Sequence, residues 1–499
     1  MVEEARRNAR RYARVTAGNL RNNHIYITGD HDFFPRDCVG GSNVTSGTGR
    51  PVAIELAGLG KRVETDIPVD ARTGKPRHHF RARYWVRDFF AHHQIDAGDL
   101  LCLERLGTRS YRLSVACKPH DARGFKFLEF FAGIGLIRLG LEKKGWRVIY
   151  ANDIDPQKQE MYAANFNDGE VHFELGDIHE LDVSKIPTAT LATASFPCTD
   201  LSVAGERKGL NGGQSSAFFG FINVLAKMGD CRPPLVLIEN VTGFLTSHGG
   251  NDLHQALAEL NGLGYCVDVF VLDARWFVPQ SRPRLFVVAS SNPSCDAGYS
   301  PFLLPSSRTR PPLLAQFITC HPDICWALRA LPEPPSKATK SLTDILEHLP
   351  NDAPDWWSTD RAKYLYNQMS TRHRTIADTW ISQRKWSYGT VFRRVRHQPD
   401  GCRRSMAELR SDGLAGCLRT PKGGSGRQIL FKAGYGKYAA RLLTPRECAR
   451  LMGADDFVIQ APLNQSLFAF GDGVCVPAIS WIAENYLNPL AQSANFTRI

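Results

Sequence analysis

The sequence predicts an α/β protein: a doubly wound, mostly parallel sheet over residues 125–292, a domain inserted late in the chain and a β-rich domain in front. Three observations predict it. A short apolar run, Lys126 to Phe131, leads straight into a glycine turn and an apolar-periodic helix from Leu136 to Lys144. A second run, Arg147 to Ala151, ends in Asn152, Asp153, Ile154 and Asp155. Two more apolar runs, Leu191 to Ser195 and Leu235 to Ile238, end in Cys198 and Glu239, and open α/β sheets bind ligands beyond the carboxyl ends of their strands.

Residues 1–122 precede the sheet. They hold short β-like runs at His24 to Thr28, Pro51 to Ala57, Arg62 to Ile67, Leu100 to Arg105 and Ser110 to Val115, separated by turn-rich stretches such as Gly40 to Asn43. This spacing predicts a small barrel or half-open β fold. An amphipathic helix is expected over Tyr84 to His93, and an arginine-rich one over Glu3 to Ala17.

Within residues 123–292 the chemistry-bearing residues fall at strand ends. Gly133 and Gly135 allow a close approach to backbone, although a tight turn without a ligand reads equally well. Asp153, about 20 residues on, is placed for ribose hydroxyls, and Asp177 in Gly176 to Ile178 for an adenine amine. Each acid alone fits a helix cap or a solvated loop as well; Asp153, Asp155 and Asp177 in register with a glycine turn favour an adenosine-containing cofactor. Cys198 and Glu239 would stand at one sheet edge as a thiol nucleophile and a carboxylic acid. Between them, Thr199 to Ser216 has the glycines and the basic pair Arg207 and Lys208 of a mobile loop.

Residues 293–439 form the inserted domain. It opens with a Pro-rich linker, Pro301 to Pro335, and contains the loop Gly423 to Gln428 with Arg427. From Arg361 to Arg410 about twelve Lys and Arg face three acids; Arg393, Arg394 and Arg396 lie among Trp380, Trp386, Tyr388 and Phe392. Such a surface suits phosphate and groove contacts. Residues 440–499 return to the large domain, with a final helix over Val476 to Leu487.

In order, the chain reads Phe131 to Gly135 (FAGIG), Asn152 to Asp155, Gly176 to Ile178, Phe196 to Cys198, Glu239 to Val241 (ENV), Gln280 to Arg284 (QSRPR), Arg441 to Gly453 and Gly471 to Pro477. This series resembles the DNA cytosine-5 methyltransferases of the bacterial type from about Phe125 to the C-terminus. The resemblance implies a Rossmann-like methyltransferase sheet, an inserted target-recognition domain, S-adenosylmethionine as cofactor and double-stranded DNA as partner. It makes Cys198 the nucleophile on carbon 6 of a flipped cytosine and gives Glu239 the ring nitrogen and amine. Arg282 would contact the ring oxygen and steady Glu239, and Arg284 would orient the loop carrying Cys198. For the cofactor it implies Phe131 stacked on adenine, Asp153 on ribose, Asp177 on the adenine amine, Ile154 and Ile178 lining the slot, and Pro197 shaping the floor. Gly133, Gly135 and Asp472 complete that set.

For DNA the same resemblance makes Thr199 to Ser216 a closing loop, with Ser202 entering the vacated space and Arg207 and Lys208 beside it. Departures are Leu136 for a second glycine, Asp153 for the frequent glutamate, Thr199 for glutamine and Asp472 for asparagine. The N-terminal helix followed by Gly98, Asp99 and a strand is similar to pseudobarrel DNA-binding domains of some restriction enzymes and plant transcription factors. A restriction-modification setting with a cognate endonuclease, and action as a monomer on DNA, are further expectations. A tRNA methyltransferase and a non-catalytic DNA-binding homologue are the alternatives.

Composition agrees. The 499 residues carry a net charge of +11, and about eight of those charges precede Phe127, which fits a polyanion partner. Thirteen cysteines without CxxC spacing argue for a reducing bacterial cytoplasm, on the nucleoid, and against structural zinc; no bound metal is expected. No long apolar run suggests a membrane span or secretory signal.

Overall fold

The computed structural model describes residues 10–27, 31–93, 95, 100–117, 125–197, 216–291, 300, 304–397, 402–419 and 427–493. The chain forms two compact units, one of Met1–Gly124 with Ala163–Val171, the other of Phe125–Tyr162 with His172–Ile499.

The first unit is β-rich. Its strands are β1 (Arg10–Arg14), β2 (Val39–Gly40), β3 (Val52–Leu56), β4 (Lys61–Thr65), β5 (Ile67–Pro68), β6 (Leu100–Gly107) and β7 (Ser110–Cys117). Five of them form a sheet in the order β1-β6-β7-β3-β4, and β2 and β5 pair separately. The helix Tyr84–His92 buries Trp85, Val86, Phe89 and Phe90 into a core that includes Phe33, Phe34, Phe80 and Tyr111.

Two expectations are corrected here. The predicted helix Glu3 to Ala17 is, over Arg10–Arg14, strand β1, antiparallel to β6; the preceding residues lie outside the described set. Pairing along the open edge of β6 outweighs the modest helix propensity of arginine. His24 to Ile27 alternates Ile25 and Ile27 into the core but forms no ladder; Ile27 donates a backbone hydrogen bond to the His78 carbonyl.

In the second unit, strands β8 (Phe125–Phe130), β9 (Trp146–Asp153), β10 (Phe173–Leu175), β11 (Leu191–Ala194), β12 (Leu235–Val241), β13 (Cys266–Asp273) and β14 (Pro283–Ser290) form a sheet in the order β10-β9-β8-β11-β12-β14-β13. The neighbours from β10 to β12 are parallel, while β14 runs antiparallel to both β12 and β13. This is the doubly wound α/β sheet the sequence predicts. The strand order reverses direction between β8 and β11, so the crevice where such sheets bind ligands opens there.

The helix Leu136–Glu142 follows the glycine turn and packs against Val476–Ile482 so closely that a Cβ on Gly140 would stand 2.6 Å from Ile479. The stretch Leu463–Gln492 is long and apolar enough to cross a membrane, contrary to the expectation that no such run exists. Here its helices Leu463–Asp472 and Val476–Ile482 are separate, and Phe470, Val476, Ile479 and Ile482 lie in the interior.

Residues 304–330 do not act as a linker. The helix Pro312–Cys320 puts Leu314, Phe317 and Ile318 into the core of the large sheet. Arg310 Nη2 holds the buried Asp268 carboxylate at 2.7 and 2.9 Å, and Cys266 is disulfide-bonded to Cys325, a pairing the scattered cysteines did not suggest. The inserted sheet comes later. Its strands β15 (Ser387–His397), β16 (Arg403–Arg410), β17 (Ile429–Gly434) and β18 (Lys437–Leu442) lie in the order β16-β15-β17-β18. The helices Thr359–Asn367 and Thr371–Ser382 back it through Leu365, Ala377, Val391 and Phe431.

Candidate active site

The site is built where β8, β11 and β12 end. Ala194 on β11 pairs with Ile238 on β12, so Ser195, Phe196 and Pro197 leave the sheet alongside Glu239. Glu239 is 5% exposed. Its Oε2 accepts a hydrogen bond from Ser195 Oγ at 2.5 Å, and its Oε1 lies 2.9 Å from Arg284 Nε as an ion pair. Oε1 is thus in charged contact with Arg284 without a well-aligned hydrogen bond among the described residues. Asn240 Nδ2 donates to the Phe196 carbonyl at 3.3 Å and ties the two strand ends together. Cys198, and the loop residues Ser202, Arg207 and Lys208, lie outside the described residues.

The contact with Glu239 expected of Arg282 is made by Arg284, while the loop that Arg284 was expected to orient lies outside the described residues. Arg284 holds the ion pair to Glu239. Arg282, 2% exposed, commits its guanidinium to carbonyls: Leu418 at 2.8 Å, Gly471 at 2.9 Å and Gly473 at 2.6 Å. Arg282 stands just before β14 and Arg284 on it, and register places Arg284 opposite Val241 on β12, two positions past Glu239. Gln280 works with Arg282, donating to the Leu451 carbonyl at 2.7 Å and accepting from the Leu418 amide at 3.1 Å.

Sequence reasoning missed Cys417. Its Sγ lies 3.3 Å from Arg282 Nη1 and 3.9 Å from Arg284 Nη2. Burial opposes ionisation, but Arg282, Arg284 and Arg419 outweigh it and hold the thiol below its ordinary pKa. No local pattern in Ala415 to Thr420 announces this; it arises because the segment pairs with Pro279 and Ser281.

At the end of β8, Phe131, Gly133 and Gly135 all have positive φ, at 55°, 56° and 82°. Glycine carries the second and third without strain; Phe131 is a side-chain-bearing residue in the left-handed region. The Gly133 amide donates to Asp153 Oδ2 at 2.8 Å and the Asp155 amide to Oδ1 at 3.0 Å, so the buried Asp153 carboxylate fixes the turn. Burial pushes Asp153 above the usual carboxylate range, against Lys158 and these two amides. Lys158 Nζ meets Asp472 Oδ2 at 2.9 Å. Burial would lower the Lys158 pKa, but Asp472 and Asp153 outweigh it and raise it.

The Gly176 amide donates to the Asp153 carbonyl and brings Asp177 alongside, where its Oδ1 accepts from the His179 amide. Ile154 is 65% exposed, an apolar side chain held open to solvent next to these acids. Ile178, in contrast, is 5% exposed and belongs to the core under the crevice. The donor set fits an adenosine group: an exposed aliphatic face, two carboxylates for hydroxyls and an amine, and a glycine backbone that a ligand can approach.

The basic residues lie on the inserted sheet. Arg393, Arg394 and Arg396 are on β15, with Arg396 opposite Arg404 and paired to Glu408 at 2.5 Å. The Arg394 guanidinium lies 5.1 Å over the Phe392 ring, and Arg427 donates to Asn464 at 2.8 Å. Gly423 to Gly426 lie outside the described residues.

Against known proteins, the family of C-5 cytosine-specific DNA methylases matches residues 125–488. The Type II methyltransferase M.HhaI of Haemophilus parahaemolyticus is 27% identical over 388 residues, 77% of this chain and 99% of that protein. M.NlaX of Neisseria lactamica is 29% identical over 364 residues, covering 72% and 95%. Among solved structures, the S. pombe Dnmt2 methyltransferase aligns with a TM-score of 0.47 at 18% identity, over 74% of this chain and 99% of that one. Residues 1–124 lie outside the family match.

Proposed function

Since the chain belongs to the C-5 cytosine-specific DNA methylases and is a DNA cytosine-5 methyltransferase, we propose that it methylates carbon 5 of a cytosine turned out of duplex DNA, with S-adenosylmethionine as donor. Phe131, Gly133, Gly135, Asp153, Ile154 and Asp177 would hold the cofactor, with Pro197 between it and the base. Asp472 would act through Lys158, whose charge it neutralises beside Asp153. Bound there, S-adenosylmethionine would supply an activated methyl group for carbon 5.

This chain's residues prepare the base. The Cys198 thiolate adds to carbon 6 while Glu239, entering as the carboxylic acid, gives its proton to ring nitrogen 3 and accepts from the exocyclic amine, so the ring takes up the electron pair and carbon 5 becomes nucleophilic. After transfer, the carbon 5 proton passes to solvent water, the double bond re-forms with expulsion of the Cys198 thiolate, and nitrogen 3 returns its proton to Glu239. Arg284 keeps Glu239 oriented, and Arg282 ties the inserted domain's Cys417–Leu418 segment and the Gly471–Gly473 turn to the strand that carries Arg284. Extrusion of the base costs a few kcal/mol of stacking, which contacts from Ser202, Arg207 and Lys208 and from Arg393, Arg394, Arg396 and Arg427 would offset.

The observation that carries this reading is the buried Glu239 carboxylate, held by Ser195 and Arg284 beside the strand end that leads to Cys198. The named relatives are Type II methyltransferases, so we assign the chain to a restriction-modification setting, as a cytoplasmic, nucleoid-bound monomer beside a cognate endonuclease. The test is transfer of labelled methyl from S-adenosylmethionine to unmethylated genomic DNA, mapped at base resolution, with Cys198→Ala as control. Cysteine-dependent 5-methylcytosine in one short context is expected; transfer to RNA, or none, would overturn it.

A further inference from the structure

The N-terminal unit, outside the family match, contains a histidine pair with no evident structural purpose. The His24 ring, 8% exposed, stacks on His79 at 5.1 Å and 17° and lies 4.8 Å from the Tyr26 ring. Both ring nitrogens of His24 are buried with no hydrogen-bond partner among the described residues. Leaving such nitrogens unpaired is costly, and each case asks for a reason.

The charged groups acting on this pair are all positive. On His24 it is Arg83, and on His79 they are His24, Arg83, Arg77 and His78. Arg83 is exposed at the N-terminal end of the helix Tyr84–His92 and makes no side-chain cap bond there. Arg77 is in a loose ion pair with Asp70, at 3.8 Å, and its Nε is buried without a hydrogen bond. Three chain segments, the stretch after Asn23, the stretch Arg77–Phe80 and a helix start, thus bring cationic and potentially cationic groups to one place. Burial and these neighbours hold His24 below its ordinary pKa and His79 at about 4, so both rings are neutral until a negative group arrives.

We propose that His24, His79 and Arg83 form a phosphate site that grips the nucleic-acid backbone and takes up protons from solvent onto the imidazole nitrogens as it does so. The His24 nitrogens are closed to solvent, so an oxyanion engages them as the ring turns outward from its stack on His79, and an imidazolium then donates from both of its own. The site gives the unit a backbone contact that carries no sequence information and strengthens as pH falls.

The test is calorimetry of the full chain with a short unmethylated duplex near pH 6.5, in buffers of different ionisation enthalpy, which reads proton uptake directly. Net uptake is expected, with duplex affinity rising up to roughly tenfold per pH unit for each proton taken up. His24→Gln with His79→Gln should remove the uptake. Arg83→Gln, at an exposed position that cannot disturb the core, should weaken the duplex several-fold at low salt. Inorganic phosphate alone is the second probe. No uptake with duplex, uptake that persists in the double variant, an unchanged affinity for Arg83→Gln, or uptake with inorganic phosphate but none with duplex would each overturn the proposal. Should the double variant melt early, Arg83→Gln and the wild-type pH dependence still decide. Methyl transfer plays no part in these readouts, so their failure is distinguishable from failure of the catalytic assignment.

Discussion

Asp153→Asn isolates the part of the cofactor crevice that the geometry makes most explicit. Both carboxylate oxygens of Asp153 accept backbone amides, from Gly133 at 2.8 Å and from Asp155 at 3.0 Å. An asparagine of the same shape can accept only one of them and must present its NH2 to the other. A hydrogen bond to a charged acceptor is worth about 1.5–3 kcal/mol, so the S-adenosylmethionine dissociation constant should rise roughly 10- to 150-fold.

Two effects oppose each other in the stability of the free chain: the lost amide bond lowers it, and relief of the buried charge raises it. Burial raises the Asp153 pKa in the folded chain, so its ionised form is disfavoured there relative to the unfolded chain at neutral pH, and asparagine removes that cost. The assay pairs equilibrium dialysis of labelled cofactor with melting curves taken with and without it. Wild type should gain stability on adding cofactor as RT ln(1 + [L]/Kd), and the variant should lose about 1.4–3 kcal/mol of that gain at saturating ligand. A variant that binds cofactor within threefold of wild type would refute the assignment of Asp153 as the residue that fixes the turn.

Three further outcomes follow from the same geometry. Ser195→Ala removes the hydroxyl that donates to Glu239 Oε2 at 2.5 Å, and single-turnover transfer should slow about 10- to 100-fold; an unchanged rate would detach Ser195 from Glu239. Arg441→Leu breaks a fully buried pair, Arg441 Nη1 to Glu447 Oε2 at 2.7 Å, and should cost about 3–5 kcal/mol in denaturant unfolding; adding Glu447→Leu should not restore it, because the Thr444 and Glu347 amides lose their acceptor. A single-variant loss near zero would sink that reasoning. Glu129, fully buried, is pushed by burial up to about 8 from 4.5, so the folded chain keeps this proton where the unfolded chain releases it. Its contribution to stability is therefore present at low pH and lost as pH rises from about 4.5 to 8; Glu129→Gln should flatten that decline in unfolding midpoints, and an identical slope in both chains would contradict it.

The parts of this molecule legible in its sequence are those where local pattern and tertiary role coincide. Phe125–Phe130 is apolar because it is a central strand, Gly133 and Gly135 are glycines because their φ is positive, and the helix Leu136–Glu142 follows at once. The adjacency of β11 and β12 was legible for the same reason: two short apolar runs, each ending in a polar residue, suit neighbouring parallel strands. Where one local pattern served two structures, reading failed. Arg10–Arg14 offers arginines to a helix or to a strand, and only the open edge of β6 decides. Pro301 to Pro335 has a linker's prolines, yet Leu314 and Ile318 make it part of the core.

Partners separated by more than a hundred residues were the hardest to read, and they decide how the site works. Arg282 and Arg284 look alike in sequence, two arginines two positions apart, yet one stands just before β14 and the other on it. Arg284 reaches Glu239 through strand register, while Arg282 is claimed by carbonyls at 418, 471 and 473 that arrive from the inserted domain and the chain's return. Cys417 inherits its lowered pKa from the same convergence. The domain interface therefore supplies the surroundings of the catalytic arginines. A change at Leu418 or Gly473 that leaves both arginines in place should still disturb Glu239, because it shifts the strand from which Arg284 reaches it.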